Sequence, residues 1–514
     1  MEKISKHKKN IILFCFAFIS IFFTIMIKPV TDLDEIWNFN VARAMTEGLI
    51  PYKDISLITT PLLPTIASIF LKIFGSEMIV TRILASVIGA TIISYVYKIF
   101  LGILKEENIA LIATGIIGII LKNVYALDYN LLVVLFALII LYKEIKNISK
   151  ENTTEKLEKK DIKENLIIGI IAGLAFCTKQ STGAILAIVT TIAPILKIQN
   201  KQEIKKTIKT SAIRIIGIIL PIIMLIIYLL CTNSLTEFIS YAVFGISTFT
   251  NKIPYKELFA DKLQTVRILS RIIPITILTM GIIIVINNIK QTTKRNTETI
   301  IILFIYSIST IITMYPIADT VHFLEGSTIT IVSLLYLICA IGKKIYNKIK
   351  LSKKKFLYKS ISIIICTIMI AGITIFDVKN ISKYTKLEKN TEIKHYKYME
   401  VVDYLEERIT ILDKFILEAE EKGKKVYILD AEAAIYMIPI DKYNKNYDLF
   451  LRGNLGKDGE EGEIEKIKNR DNNTIYLIRK ANINQNWQAP ENVITYIRDN
   501  LELLGQITMY DVYQ

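Results

Sequence analysis

The chain has 514 residues, 52% hydrophobic and 22% charged, with a formal net charge of +15. Several uninterrupted apolar runs reach the roughly 20 residues that cross a bilayer, which excludes an ordinary soluble multidomain protein. The surplus lysines cluster between those runs, where the positive-inside rule accounts for them and no nucleic-acid partner is needed.

Residues 1–10 are basic and residues 11–27 are apolar. The flank Lys28-Pro29-Val30-Thr31-Asp32 offers no small-x-small cleavage site, so the run reads as a retained first helix. Further apolar runs follow at 78–101, 107–124, 127–142, 165–178, 181–198, 211–231, 268–288, 298–315, 327–342 and 357–377. Together they predict about eleven spans. The stretch 61–74 starts Pro-rich and predicts a helix lying at the interface or re-entering. With a cytoplasmic N-terminus, the inner loops include the lysine-dense 143–164, 199–210, 289–297 and 343–356. The outer loops are then 28–77, short turns near 125 and 179, 232–267, 316–326 and everything after 378. Residues 146–164 read as a solvated, charge-rich linker.

The tail differs in pattern. Residues 394–420 have helical periodicity, Lys425–Leu429 and Thr474–Ile478 read as strands, 453–462 as a loop and 491–504 as a helix. No internal repeat is visible. The predicted fold is a mainly α, polytopic membrane domain over 1–377, with its first outer loop at 28–77. A small α/β extracytoplasmic accessory domain over 378–514 completes it.

Candidate chemistry concentrates in the first outer loop. Asp32, Asp34 and Glu35 stand within four residues, just past the first span. A carboxylate at a bilayer edge is costly to desolvate. Asp32 reads as the cap of a helix starting near Ile36. The acidic pair is followed by Ala42-Arg43, then Gly48-Leu49-Ile50-Pro51-Tyr52, then Pro61-Leu62, then Arg82-Ile83-Leu84. This order resembles the polyprenyl-phosphate-sugar glycosyltransferases of the GT-C fold, in particular the protein O-mannosyltransferase and aminoarabinose transferase group. The motif covers residues 31–84, and the topology covers 11–377.

The resemblance implies that Asp34, with Glu35 beside it, is the catalytic base. It implies a polyprenyl-phosphate-linked sugar as donor. The acceptor would be a cell-envelope glycan, a glycolipid or a protein at the outer face of the membrane. The residue types suit that chemistry: a carboxylate can take the proton of an acceptor hydroxyl, and the departing phosphate wants cationic or hydrogen-bonding partners. The aminoarabinose-type relatives carry Lys-Pro-Pro where this chain has Thr59-Thr60-Pro61. The phosphate contact therefore falls to other cations, with Arg43, Lys53, Arg82 and Lys179 as candidates.

Lys179-Gln180 lies in an outer turn poor in basic residues, as a phosphate contact or as a snorkelling lysine. The loop from Tyr315 to Gly326 is a second polar island. Its Asp319 and His322 are three apart and would share one face of a helical turn, to grip phosphate, sugar or a divalent cation. Asp128-Tyr129-Asn130, at the outer start of a span, either caps a helix or lines the sugar pocket. The loop 232–267, with Tyr241, Phe249, Lys252, Pro254 and Tyr255, either covers the lipid carrier or belongs to an aromatic belt. Trp487 either stacks on a sugar or packs internally.

The five cysteines, Cys15, Cys177, Cys231, Cys339 and Cys366, lack metal-ligand spacing, and three histidines are too few for a multi-His zinc site. No cofactor is called for beyond that divalent cation. No phosphate-binding glycine loop is present, which argues against ATP-driven transport. The alternative to a transferase is a non-catalytic transporter or flippase for lipid-linked sugars.

Overall fold

The apolar runs fold as helices because a backbone in lipid must satisfy its own hydrogen bonds. The structure, a computed structural model, describes residues 2–122, 124–148, 157–197, 203–249, 252–290, 294–348, 353–445, 447–486 and 488–514. Of the charged linker expected at 146–164, residues 149–156 lie outside the described residues and 159–164 already belong to a helix that begins at Lys159; Trp487 also lies outside the described residues. In chain order the helices begin with α1 (Glu2–Met26), α2 (Leu33–Thr46), α3 (Leu62–Phe74), α4 (Met78–Leu104), α5 (Glu107–Leu121) and α6 (Tyr129–Ile148). They continue with α7 (Lys159–Thr178), α8 (Gln180–Ile192), α9 (Ile204–Cys231), α10 (Leu235–Phe238), α11 (Gln264–Ile289) and α12 (Lys294–Ile311). The last are α13 (Thr320–Lys348), α14 (Lys353–Lys386), α15 (Asp403–Glu421), α16 (Ala433–Met437), α17 (Gly459–Lys468) and α18 (Glu491–Asn500).

Seven helices among the described residues are long and apolar enough to cross a membrane, a multi-pass arrangement. The runs expected at 107–124 and 181–198 form the shorter α5 and α8. Those at 127–142 and 165–178 form α6 and α7, each with charged residues at one end.

The chain divides into two compact units. The first comprises Met1–Ile25, Ala85–Met224 and Ile253–Lys383. Its interior is pinned by small residues and one ion pair. A Cβ on Gly169 would lie 2.2 Å from the Arg214 carbonyl oxygen, and one on Gly173 would lie 2.4 Å from that of Ile218. Facing them, a Cβ on Gly217 would lie 2.5 Å from the Leu166 carbonyl oxygen. Glycine alone lets α7 and α9 approach this closely, the small-residue packing expected between helices in lipid. Beside that seam, Arg214 meets Glu144 at 2.5 Å, with both side chains buried. Arg214 also donates to Asn165 Oδ1 at 2.9 Å and to the Thr190 carbonyl at 2.8 Å. One guanidinium thus ties α6, α7, α8 and α9 together.

The second unit comprises Met26–Leu84, Leu225–Lys252 and Tyr384–Gln514, so the first loop packs with the tail. The sequence boundary at 377/378 falls inside α14. The tail holds a four-stranded sheet of β1 (Lys425–Ile428), β2 (Thr474–Arg479), β3 (Leu503–Ile507) and β4 (Tyr510–Tyr513), in the order β1-β2-β4-β3. β1 and β2 are parallel, and β4 pairs antiparallel with both β2 and β3. Leu429, Phe450, Ile467, Ile478, Val493 and Ile497 form part of its core.

Three sequence expectations need correction here. The helix expected from 394 starts only at Asp403, because His395 and Tyr398 take positive φ values of 69° and 68°. The segment 453–462, read as a loop, already contains the start of α17. The helix expected to reach 504 ends at Asn500, and Leu503–Ile507 is a strand.

Several contacts fasten the tail within this unit. Asn454 donates to Ser56 Oγ at 3.0 Å, and Gly453 N–H donates to Thr248 Oγ1 at 2.8 Å. Gly453 has φ +84°, and a Cβ there would lie 2.3 Å from the Phe249 ring. Asn40 donates to Asp448 Oδ1 at 3.0 Å. Asp448 is fully buried, and burial pushes its carboxyl up from an ordinary 3.8 to about 6. A raised carboxyl pKa means the folded state holds the proton more tightly than the unfolded chain. Its stabilising effect is complete below the unfolded value and is lost as pH rises through the folded one. We therefore expect Asp448→Asn to remove a loss of stability of about 3 kcal/mol between about pH 4 and pH 6. Melting temperatures at pH 4.5 and pH 7 should lie closer together in the variant than in the wild type.

Candidate functional site

In the second unit, α2 starts where Asp32 Oδ1 accepts the Glu35 backbone N–H at 3.0 Å, the N-cap expected from the sequence. Asp34 and Glu35 fill the first helical turn, where the helix dipole favours negative charge. Glu35 is 2% exposed and is clamped by Arg82, with Nε to Oε1 and Nη2 to Oε2 both at 2.9 Å. Arg82 also donates to the Lys28 carbonyl at 2.8 Å. This bidentate pair fixes the first turn of α2 against the start of α4. Asp34 differs from its neighbour: it is half-buried, and its backbone carbonyl accepts the Asn38 side chain at 2.8 Å.

The electrostatics of this corner are dense. Part of Asp32 is open to solvent, yet the burial of its surroundings, and then Glu35, push its carboxyl upward. Burial pulls the Lys28 ammonium down, against the attraction of Glu35 and Asp32.

Two cations expected at a phosphate are spent internally. Arg82 holds Glu35, as described. Arg43 is fully buried, donates to the Lys442 carbonyl at 2.9 Å, lies 3.4 Å from Asp441, and stacks 4.2 Å from the centre of the Tyr443 ring. Lys53 is exposed, in the turn where buried Tyr52 donates to the Thr59 carbonyl at 2.7 Å.

In the first unit, the structure joins two motifs that lie 49 residues apart. Lys179 is the single extended residue between α7 and α8. Its Nζ donates to Asn130 Oδ1 at 2.7 Å and sits 4.9 Å from the centre of the Tyr129 ring. Asp128 caps α6 through the N–H groups of Asn130 and Leu131. Asn130 belongs to the Asp128-Tyr129-Asn130 motif expected from the sequence, and its pairing with Lys179 is what the sequence did not show. Its Nδ2 is buried with no partner among the described residues. Gln180, half-buried, opens α8.

One turn into α8, Thr182 lies 3.4 Å from Thr313, which brings the second polar island to this end of the unit. There Asp319 Oδ1 accepts the His322 backbone N–H at 2.9 Å and lies 2.9 Å from His322 Nδ1. Burial works against charge on Asp319. The His322 side chain and two backbone N–H groups outweigh it and hold the carboxyl below its ordinary range. Asp319 and His322 thus form one side-chain pair at the start of α13. Tyr315 is 63% exposed. Among the described residues no group of three or more His, Cys, Asp or Glu is placed to hold a metal ion.

Residues 59–228 match the family described as dolichyl-phosphate-mannose-protein mannosyltransferase. The match starts beyond Asp34 and Glu35. None of the curated proteins matches the chain. Among solved structures, ArnT from Cupriavidus metallidurans bound to undecaprenyl phosphate has the same fold, with a TM-score of 0.56 at 9% identity. That likeness covers 98% of this chain and 97% of the other. The apo form of the same ArnT aligns with the same score and identity over 99% and 98%. In fold along its whole length, and in sequence over 59–228, the chain resembles the GT-C polyprenyl-phosphate-sugar glycosyltransferases of the protein O-mannosyltransferase and aminoarabinose transferase group.

Proposed function

We propose that the chain is a membrane glycosyltransferase. It takes a sugar from a polyprenyl-phosphate donor and passes it to an acceptor at the outer face of the membrane, with Asp34 as general base. The family match and the fold support a membrane glycosyltransferase with a lipid-linked donor. The observation that carries the base assignment is the placement of Asp34, half-exposed in the first turn of α2, a turn that the Glu35–Arg82 pair holds in position.

In the reaction the acceptor O–H gives its proton to Asp34 and its oxygen bonds to the anomeric carbon. The bond from that carbon to the donor phosphate breaks, and polyprenyl phosphate leaves with the negative charge. Within the first unit, Lys179, the Asn130 amide and His322 are groups of the kind that suit a phosphate or a sugar.

The decisive experiment reconstitutes the full chain with labelled polyprenyl-phosphate sugars and a cell-envelope extract. Label passing to a non-lipid or larger product supports the transferase. Labelled lipid crossing the bilayer with no transfer supports a flippase instead. Lys179→Ala is expected to raise the donor KM by about tenfold or more, as a charged hydrogen bond is worth about 1.5–3 kcal/mol. An unchanged KM would remove Lys179 from the donor site.

A further inference from the structure

At the ends of α6 and α13 remote from Asp128 and Asp319, the first unit encloses a cavity of about 570 Å³. It lies among the last turns of α4, α6, α11 and α13 and the first turns of α12. Helices of this length put it about 20 Å or more from the polar islands. The wall includes Ile145 and Ile300, both buried. The mouth carries four exposed cations, Lys105, Arg295, Lys343 and Lys344. No carboxylate lines the cavity among the described residues. Lys343 lies 3.6 Å from Glu106, which does not line the cavity.

We propose that this cavity binds an anionic glycerophospholipid, with its phosphate among the cations and an acyl chain against the isoleucine wall. Three features favour that occupant. The charge at the mouth is of one sign, so the ligand is an anion. Ile103, Ile145, Ile148, Ile283, Ile300 and Leu337 make most of the wall, with Asn287, Asn296 and Thr299 among them, so the ligand is an amphiphile and not a free phosphate. The helix ends belong to the lysine-dense loops, where basic pockets between spans meet anionic headgroups. The volume falls within the range of ordinary ligand sites. The site is separate from Lys179 and His322, and its occupancy does not depend on the transferase reading.

Native mass spectrometry of the full chain in detergent, titrated with phosphatidylglycerol, phosphatidylcholine or polyprenyl phosphate, tests it. The wild type should retain phosphatidylglycerol well above phosphatidylcholine. The triple variant Lys105→Gln/Arg295→Gln/Lys344→Gln should bind phosphatidylglycerol on the order of a hundredfold more weakly, each lost charge near a lipid surface costing about fivefold. Its affinity for polyprenyl phosphate should not change. Equal retention of the two phospholipids by the wild type overturns the proposal, and so does a parallel loss of polyprenyl phosphate, which would make this a carrier site. Should the triple variant not fold, phosphatidylglycerol with a photoreactive headgroup decides on the wild type. Labelling of the 295–300 or 336–344 segments supports the site, and labelling elsewhere alone rejects it.

Discussion

Asp34→Asn is expected to lower the rate of sugar transfer by about 10²–10⁴-fold, the usual contribution of a positioned general base, with melting unchanged. Glu35→Gln should do the opposite. It removes one partner of a buried bidentate pair and leaves Arg82 with uncompensated charge, a loss on the order of 3–5 kcal/mol. Its signature is less folded protein, with near-normal turnover per folded molecule. Arg82→Lys should resemble Glu35→Gln, since a lysine cannot reproduce two parallel hydrogen bonds. Asp32→Asn serves as the control, because asparagine caps a helix as well as aspartate. Its rate should stay near wild type. Full activity in Asp34→Asn at normal expression would refute the base assignment, and an equal collapse in Asp32→Asn would point to the charge of the whole corner.

The second large effect lies far from any proposed chemistry. Glu144→Gln and Arg214→Met should each cost on the order of 3–5 kcal/mol, because each leaves one buried partner of a tight ion pair unmatched. Arg214→Met also strips the bonds to Asn165 and Thr190, so it should be the worse of the two. The double variant Glu144→Met/Arg214→Met should recover much of the loss, since an apolar pair leaves no uncompensated charge. Size-exclusion profiles and melting temperatures of the detergent-solubilised variants would read this directly. A double variant as unstable as the worse single one would show that the polar contacts themselves, and not charge matching, hold these four helices.

The sequence made the local part of this architecture legible. Apolar runs mark the membrane helices, and the short runs KVYI and TIYLI mark β1 and β2. Asp319 and His322 meet because spacing along one helical turn dictates it. Long-range partners could not be read in the same way. Arg43 looks like a free cation until Asp441 and Lys442 arrive from about 400 residues away. Lys179 gives no hint that Asn130 will receive it. The third and fourth strands were hidden for another reason. Leu503–Ile507 follows an amphipathic helix without a break in polarity, and only its pairing with β4 makes it extended. The start of α17, Gly459-Glu460-Glu461-Gly462, has the composition of a turn, so its helical state reflects tertiary contacts more than propensity.

The order of strands in the tail has a consequence for how the protein is made. β4 is the last of these four strands in chain order, yet it occupies an interior position between β2 and β3. Until it emerges, β2 presents a bare edge of Ile, Tyr and Leu residues, the kind of surface that recruits wrong partners. Pairing β2 with β4 then closes the loop 480–509, a slow step compared with forming the local β3–β4 hairpin. A nascent chain stalled before Tyr510 would therefore be a substrate for chaperones and proteases, however well its membrane helices had assembled.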